Sequence, residues 1–384
     1  MNRTKPVAAL EKAQAYAATL DNPSVQAFKA KGGKVIGTFD PEVPFELFEA
    51  AGLMPFDMRG TGATGTEYAD KYFKQVTCDF VRSTFDQIAQ GKFDFLDGAV
   101  VYNCCDHMRR IDDNWPLLSG AKNFHFLYTP KRWDDSTYPR YLEELKKLIG
   151  AIEERYGVKI TPESLKAAIA ESNKTHALVR ELYALRKGEE IYIDGTEVMD
   201  VLTAGGSMPR AEYNALLREL IDTLKANGET VKPRRRLMLL SGHANMPELL
   251  KALESQGALI VIDDASNGLR MCAHDIEETG DPLEALAKFY FYTKTPMPRA
   301  FGTQDRRLEA YLKLFNEYGA DGVVSARVTM CDLWAFEQYM LANFLRDNDI
   351  PSLELEVNYV MDGVGQVKTR VQAFVENLPQ RRTA

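Results

Sequence analysis

The chain has 384 residues, which is more than one ordinary core accommodates and indicates two domains. Apolar residues make up 45% and charged residues 27%, a balance that excludes a disordered or fibrous chain. The net charge is −8 and the one basic run, residues 232–236, is short, so nucleic acid is not expected as a partner. No apolar stretch reaches the ~20 residues that span a bilayer, and we expect a cytoplasmic protein without a membrane partner.

In the first part of the chain, predicted helices alternate with predicted strands. A long helix is predicted over residues 8–31, and strands over 34–39, 53–58, 97–102 and 123–128. Further helices are predicted over residues 67–90, 107–117 and 139–156. This alternation is typical of a parallel sheet that is covered by helices on both faces.

Strand signals then fade, and helical periodicity continues to about residue 227. A second alternation places strands at 236–242, 259–263, 322–325 and 352–357, and a helix at 366–376. The predicted fold class is therefore α/β, with two parallel-sheet domains. We expect an N-terminal domain at 1–160 with Cys78 and Cys105, a helical connector at 161–232, and a C-terminal domain at 233–384 with Cys331.

The five cysteines are an odd number in a chain without an export signal, which favours reduced thiols or metal ligands over disulfides. Cys105 and Cys331 each precede an aspartate, follow a predicted strand and begin a predicted helix. A thiolate at a helix start faces free backbone N–H groups, which favour its ionised, metal-binding form. Cys78, expected inside the helix over 67–90, can approach Cys105 from a neighbouring element.

Three such thiolates suit an iron–sulfur or zinc site, but the spacing fits neither a ferredoxin nor a zinc ribbon, and small buried hydrophobes are the other interpretation. Cys104 is an alternative to Cys105 as a ligand, and Cys272 is expected to be structural.

Other polar and glycine motifs have two interpretations each. Residues 60–65 fit G-x-G-x-x-G, but they follow the second strand and lack the expected acidic residue, so a glycine-rich loop is favoured over a nucleotide site. His107 and His243 are either proton donors or hydrogen-bonded turn residues. Arg109 and Arg110 face either cluster sulfides and an anionic substrate or carboxylates on their own helix. The P-loop motif does not occur in the sequence.

Several segments appear in an order that identifies a family. They are residues 37–47 (GTFDPEVPFEL), 50–55, Cys78, 103–110 (NCCDHMRR), 322–324, Cys331-Asp332, 353–356 and 365–374. The chain resembles, over nearly its whole length, the superfamily of 2-hydroxyacyl-CoA dehydratases and benzoyl-CoA reductases. Residues 267–276 and 294–298 are most similar to the smaller cluster-bearing subunit (C or gamma) of ATP-dependent benzoyl-CoA reductase.

The resemblance implies a 4Fe-4S cluster whose iron is bound by Cys78, Cys105 and Cys331, either as a single cubane or fused with one on the partner. It implies two flavodoxin- or Rossmann-like domains with a helical connecting segment. The implied partners are a homologous cluster-bearing subunit in a heterodimer and an ATP-hydrolysing iron–sulfur activator. ATP and reduced ferredoxin would be used by that partner complex and not bound by this chain.

The implied reaction is two-electron reduction of a benzoyl-CoA-type aromatic ring to a cyclic dienoyl-CoA. Three alternatives stay open: a 2-hydroxyacyl-CoA dehydratase subunit that acts through a ketyl radical, an electron-relay or scaffold subunit whose partner binds the substrate, and a zinc protein. Net consumption of electrons separates the first alternative from the reductase. The residues identify no proton donor.

Overall fold

The computed structural model describes residues 3–39, 42–361 and 363–379. Asp40 and Pro41, in the first segment of the resemblance, lie outside the described residues. The strands are β1 Val35–Thr38, β2 Met54–Asp57, β3 Gly98–Tyr102, β4 Asn123–Leu127, β5 Arg235–Ser241, β6 Ala258–Asp264, β7 Gly322–Val328 and β8 Ser352–Val357. The helices are α1 Ala8–Ala17, α2 Pro23–Ala30, α3 Phe45–Ala50, α4 Asp79–Ala89, α5 Asp106–Asn114, α6 Tyr138–Tyr156, α7 Pro162–Ala184, α8 Gly195–Gly205, α9 Arg210–Asn227, α10 Pro247–Glu254, α11 Pro282–Lys288, α12 Gln304–Glu317, α13 Asp332–Asp347 and α14 Val364–Asn377.

The strands form two parallel sheets with the same internal order. The first sheet is ordered β2-β1-β3-β4 and the second β6-β5-β7-β8. In the first sheet Val35 lies opposite Met54, and in the second Leu237 lies opposite Gly322. This is the order of the flavodoxin-like doubly wound fold, in which ligands bind beyond the carboxyl ends of the strands. The predicted fold class, with two parallel sheets, is confirmed.

The sheets form where the sequence has short apolar runs. All five residues of β3 are buried, as expected for a central strand with helices on both faces. The predicted single helix over residues 8–31 is wrong, because α1 ends at Ala17 and a separate helix, α2, begins at Pro23. The Asn22 side chain accepts hydrogen bonds from the Ser24 and Val25 amides, and Pro23 begins α2. An Asn cap followed by proline starts a new helix there.

The helices α7, α8 and α9 follow the first sheet in the chain and contact both halves. The helix α7 packs against α3 and α11, α8 packs against β6, and α1 packs against α8 and α9. The predicted helical character of this segment is confirmed, whereas the domain boundaries at residues 160 and 232 stay predictions. Within the described residues, no helix combines the length and the apolar character needed to cross a membrane.

Because of His176, in the middle of α7, we expect the free energy of unfolding to decrease in acid. Burial lowers its pKa from 6.5 to about 3. Between these values the unfolded chain binds a proton that the folded chain does not, so stability falls as the pH drops below 6.5. Between pH 7 and 5.5 we expect this residue to account for about 1 kcal/mol of lost stability. Urea unfolding at both pH values measures this loss, which should be smaller by that amount in His176→Gln than in the wild type. An equal loss in both proteins would contradict the prediction.

Candidate functional site

Cys78 lies at the start of a helix and not inside one, so the predicted helix over 67–90 is wrong. Residues 69–71 form a short 3-10 turn, a loop follows, and α4 begins at Asp79 with Cys78 as its N-cap. Cys78-Asp79 is therefore a third Cys-Asp pair at a helix start, beside those of Cys105 at α5 and Cys331 at α13. The sequence contained this signal, because the same dipeptide occurs three times.

Each of the three sulfurs faces a backbone amide at the start of its helix. The Cys105 sulfur accepts a hydrogen bond from the Met108 amide at 3.4 Å, three residues further on. The amides of Val81 and Trp334, three residues after Cys78 and Cys331, also favour the ionised form of those sulfurs, although neither completes a capping hydrogen bond. Amides in the first turn of a helix have no partner within the helix, and they stabilise negative charge on a sulfur.

The three thiols also affect one another. A hydrogen bond from the Cys78 thiol lowers the pKa of Cys331, while the same bond and burial raise the pKa of Cys78 well above its usual range. A hydrogen bond from Cys104 lowers the pKa of Cys105, and charge on Cys105 acts on both other thiols. Cys78 is buried, whereas Cys105 and Cys331 are half-buried. The structure thus brings together the three cysteines that the sequence indicated.

The two sheets contribute to this site from matching positions. Cys105 follows β3 and Cys331 follows β7, which are third in chain order within their sheets. The Cys78 turn comes from the first half but is fastened to the second. The Asp79 amide donates to the Thr329 carbonyl at 3.1 Å, and the Asp79 carboxylate accepts from the Tyr359 amide at 2.7 Å. The sulfurs therefore meet between the carboxyl ends of both sheets.

The chemistry of these three side chains fits an iron–sulfur cluster. Three thiols beside amide donors are the ligand type that iron–sulfur clusters use. Within residues 3–39, 42–361 and 363–379, no group of three or more His, Cys, Asp and Glu side chains is arranged to hold a single metal ion.

The other predicted side chains have more ordinary surroundings. His243 stacks on Phe80 with ring centroids 3.7 Å apart, and burial lowers its pKa to about 3. A neutral, packed imidazole is a poor proton donor at pH 7. Arg109 and Arg110 are exposed and pair with Asp106 and Asp113 of their own helix, at 3.3 and 2.6 Å.

Cys104 and Cys272 are both buried. Burial raises the pKa of the Cys272 thiol to about 12. Such a thiol stays protonated at neutral pH and behaves as a small apolar side chain, as expected for a structural cysteine.

The glycine-rich loop borders a cleft at the carboxyl ends of both sheets. The cleft has a volume of about 570 Å³, and Gly60, Gly62, Asn245, Tyr359 and Asp200 line it. A side chain at residue 60 would approach the Tyr359 ring to 2.6 Å, so glycine is needed there. Regular structure resumes only with the 3-10 turn at 69–71, so the strand-loop-helix context of a dinucleotide site is not met.

Several buried polar groups near this cleft have no hydrogen-bond partner among the described residues. They are the Tyr359 hydroxyl and the side-chain amide oxygen of Asn245, which line the cleft, and one terminal nitrogen of Arg59, which lines a small pocket that shares Asn245. Burial also raises the pKa of Asp200 to about 6. Unsatisfied buried polar groups beside a cleft of this size are typical of small-molecule binding sites. Sequence reasoning missed these residues because they belong to no motif.

Gly242, directly after β5, allows the helix that carries Cys331 to pack. A side chain at this position would collide with the indole of Trp334, which lies in the first turn of α13. We expect Gly242→Ala to destabilise the protein by about 1–3 kcal/mol, since extra volume is forced into a packed core. Urea unfolding measures this. Gly150→Ala is the control, because nothing lies within 4 Å of that site in α6; equal effects would contradict the packing argument.

Comparisons with known proteins find relatives that align with most of this chain. The relatives include the C subunit of the benzoyl-CoA reductase of Thauera aromatica, 26% identical over 351 residues that cover 90% of this chain and 91% of that protein. They also include the beta subunit of (R)-2-hydroxyglutaryl-CoA dehydratase of Acidaminococcus fermentans, 28% identical over 362 residues, with 91% and 94% covered. The putative dehydratase subunit YjiM of Escherichia coli K12 is 26% identical over 371 residues, with 92% and 94% covered.

Among solved structures, a GTP-binding protein of Sulfolobus solfataricus in complex with GDP covers 89% of this chain and 99% of its own, at 10% identity. Its TM-score of 0.23 is too low to support any statement about this chain. The sequence model of the family described as 2-hydroxyglutaryl-CoA dehydratase, D-component, matches residues 42–378. The chain therefore belongs to the superfamily of 2-hydroxyacyl-CoA dehydratases and benzoyl-CoA reductases.

Proposed function

We propose that this chain is the cluster-bearing subunit of an ATP-dependent benzoyl-CoA reductase. The complex would reduce the ring of an aromatic acyl-CoA by two electrons to a cyclic dienoyl-CoA. The observation that carries the proposal is the meeting of three Cys-Asp helix starts from both sheets, in a member of this superfamily. For the reductase in particular, the proposal relies on the resemblance of residues 267–276 and 294–298 seen in the sequence, and a reductase subunit of Thauera aromatica is among the relatives.

In this proposal Cys78, Cys105 and Cys331 hold a 4Fe-4S cluster. When bound, the cluster supplies electrons of low potential one at a time. The protein contributes amides that stabilise the negative charge of the sulfurs and apolar groups that exclude water. Phe80, buried beside the Cys78 turn, and Trp334, buried beside Cys331, are two such groups. A dry site keeps reactive electrons from protons and water.

We place the acyl-CoA in the cleft beside the glycine-rich loop. Its carbonyl oxygen can accept a hydrogen bond from the Tyr359 hydroxyl, which lines this cleft and has no hydrogen-bond partner among the described residues. A carbonyl that gains negative charge during reduction is stabilised by such donors more than its ground state is. The proposed partners are a homologous cluster-bearing subunit and an ATP-hydrolysing activator.

A 2-hydroxyacyl-CoA dehydratase subunit is the second candidate. It is favoured by the description of the matching family and by dehydratase relatives at similar identity. In that reaction an electron starts the removal of water and is recovered at the end.

The deciding experiment measures how much reductant and ATP the complex consumes for each product molecule. The complex is purified without oxygen, together with its partners and activator. A reductase consumes reductant and ATP in fixed proportion to dienoyl-CoA formed from benzoyl-CoA. A dehydratase instead converts a 2-hydroxyacyl-CoA after a single priming, with no net consumption, and that result would overturn the proposal.

Hydrogen exchange in the same complex tests where the substrate binds. Benzoyl-CoA should protect the loop over residues 58–63 from exchange. Protection confined to the partner subunit would assign this chain the role of an electron relay.

A further inference from the structure

His107 lies where the three cysteine turns meet. It is in the first turn of α5, two residues after Cys105. Its Nδ1 accepts a hydrogen bond from the Cys78 backbone amide at 3.1 Å. Its Nε2 lies 3.8 Å from the Asp332 carboxylate, directly after Cys331. A single imidazole therefore belongs to one cysteine turn and contacts the other two.

These contacts fix the tautomer of the ring. Because Nδ1 accepts a hydrogen bond, the ring proton is on Nε2 and faces Asp332. The Cys78 amide needs this acceptor, since an N-cap amide has no partner within its own helix. At 3.8 Å the Asp332 contact is longer than a hydrogen bond and acts through charge and dipole.

The three turns need such a connection because they come from separate parts of the chain. Cys78 and Cys105 lie in the first half, and Cys331 lies in the second. The Asp79 contacts hold the Cys78 turn to the second sheet, and the His107 ring adds the connection from that turn to α5.

We propose that His107 is a positioning residue that holds the three cysteine turns together. This inference rests on the proposed function insofar as the cysteines bind iron and sulfide. It assigns His107 a structural role, carried by the hydrogen bond that Nδ1 accepts from the Cys78 amide. Outer contacts of this kind orient metal ligands, and their loss weakens metal binding.

The test compares variants of His107 in the complex purified without oxygen. His107→Ala removes both contacts and should release iron to a chelator about tenfold faster than the wild type. The EPR signal of the reduced cluster should shift as well, which a general loss of stability would not cause. His125→Asn is the matched control, because this half-buried histidine lies on β4.

Two conservative variants keep the test decisive if His107→Ala does not fold. The side-chain oxygen of His107→Asn can take the place of Nδ1, whereas the longer side chain of His107→Gln places its polar atoms near Nε2. We expect the asparagine variant to retain iron and the glutamine variant to lose it. Equal retention in both, with an unchanged EPR signal, would overturn the inference. Iron missing from the wild type would instead overturn the proposed function.

Discussion

Replacing Cys78, Cys105 or Cys331 with serine is expected to remove most of the iron and sulfide from the complex purified without oxygen. Each sulfur lies at a helix start, and the three interact with one another. A serine hydroxyl is a harder and less acidic ligand than a thiol, so it does not replace thiolate on iron. Iron and sulfide analysis with EPR measures the loss, and ring reduction should stop in parallel.

Cys104→Ser and Cys272→Ser are the matched controls. Both residues are buried cysteines, so their replacement perturbs the core in a comparable way. We expect both variants to keep the cluster, and the first of them tests whether Cys104 takes the place of Cys105. Iron retained in Cys331→Ser would show that the second sheet does not contribute a ligand.

Arg307→Met is expected to destabilise the protein by about 3–5 kcal/mol, because it leaves a buried carboxylate without its partner. The Arg307 guanidinium on α12 donates two hydrogen bonds of 2.8 Å to the Glu337 carboxylate on α13. Both side chains are only 4% exposed. Since α13 begins at Cys331, the same change should loosen the cysteine site.

The double variant Arg307→Met, Glu337→Leu should recover most of this loss, because neither charge is then buried alone. Urea unfolding measures the three proteins. Lys251→Met is the control, since its pair with Glu248 is exposed and should change stability by less than about 1 kcal/mol. Equal effects of Arg307→Met and Lys251→Met would contradict the assignment of a buried ion pair.

The fold could be predicted because buried parallel strands appear in the sequence as short apolar runs between helices. Two predicted helices were wrong because a capping residue starts a new helix within a continuous apolar pattern. Asn22 and Pro23 end one predicted helix early, and Cys78 starts a helix within another. Capping depends on one or two side chains, so a periodic pattern over many residues does not report it.

The cysteines of the site could be predicted because each carries a local signal. The cleft could not be predicted from the sequence, because its lining residues come from loops that are far apart in the chain. Asn245 and Tyr359 became candidates only through their burial and missing partners among the described residues. The contact of His107 with Cys78 likewise joins residues 29 positions apart.

The repeated sheet order bears on how this chain arose. Each half has a cysteine after the 3-10 turn that follows its second strand, Cys78 and Cys272, and another after its third strand, Cys105 and Cys331. Such an arrangement is what duplication of one ancestral half would leave. Cys272 now lines a different pocket together with Tyr213 and does not join the other three. Under such a duplication, Cys78 and Cys272 descend from one position, of which only the first copy faces the other cysteine turns.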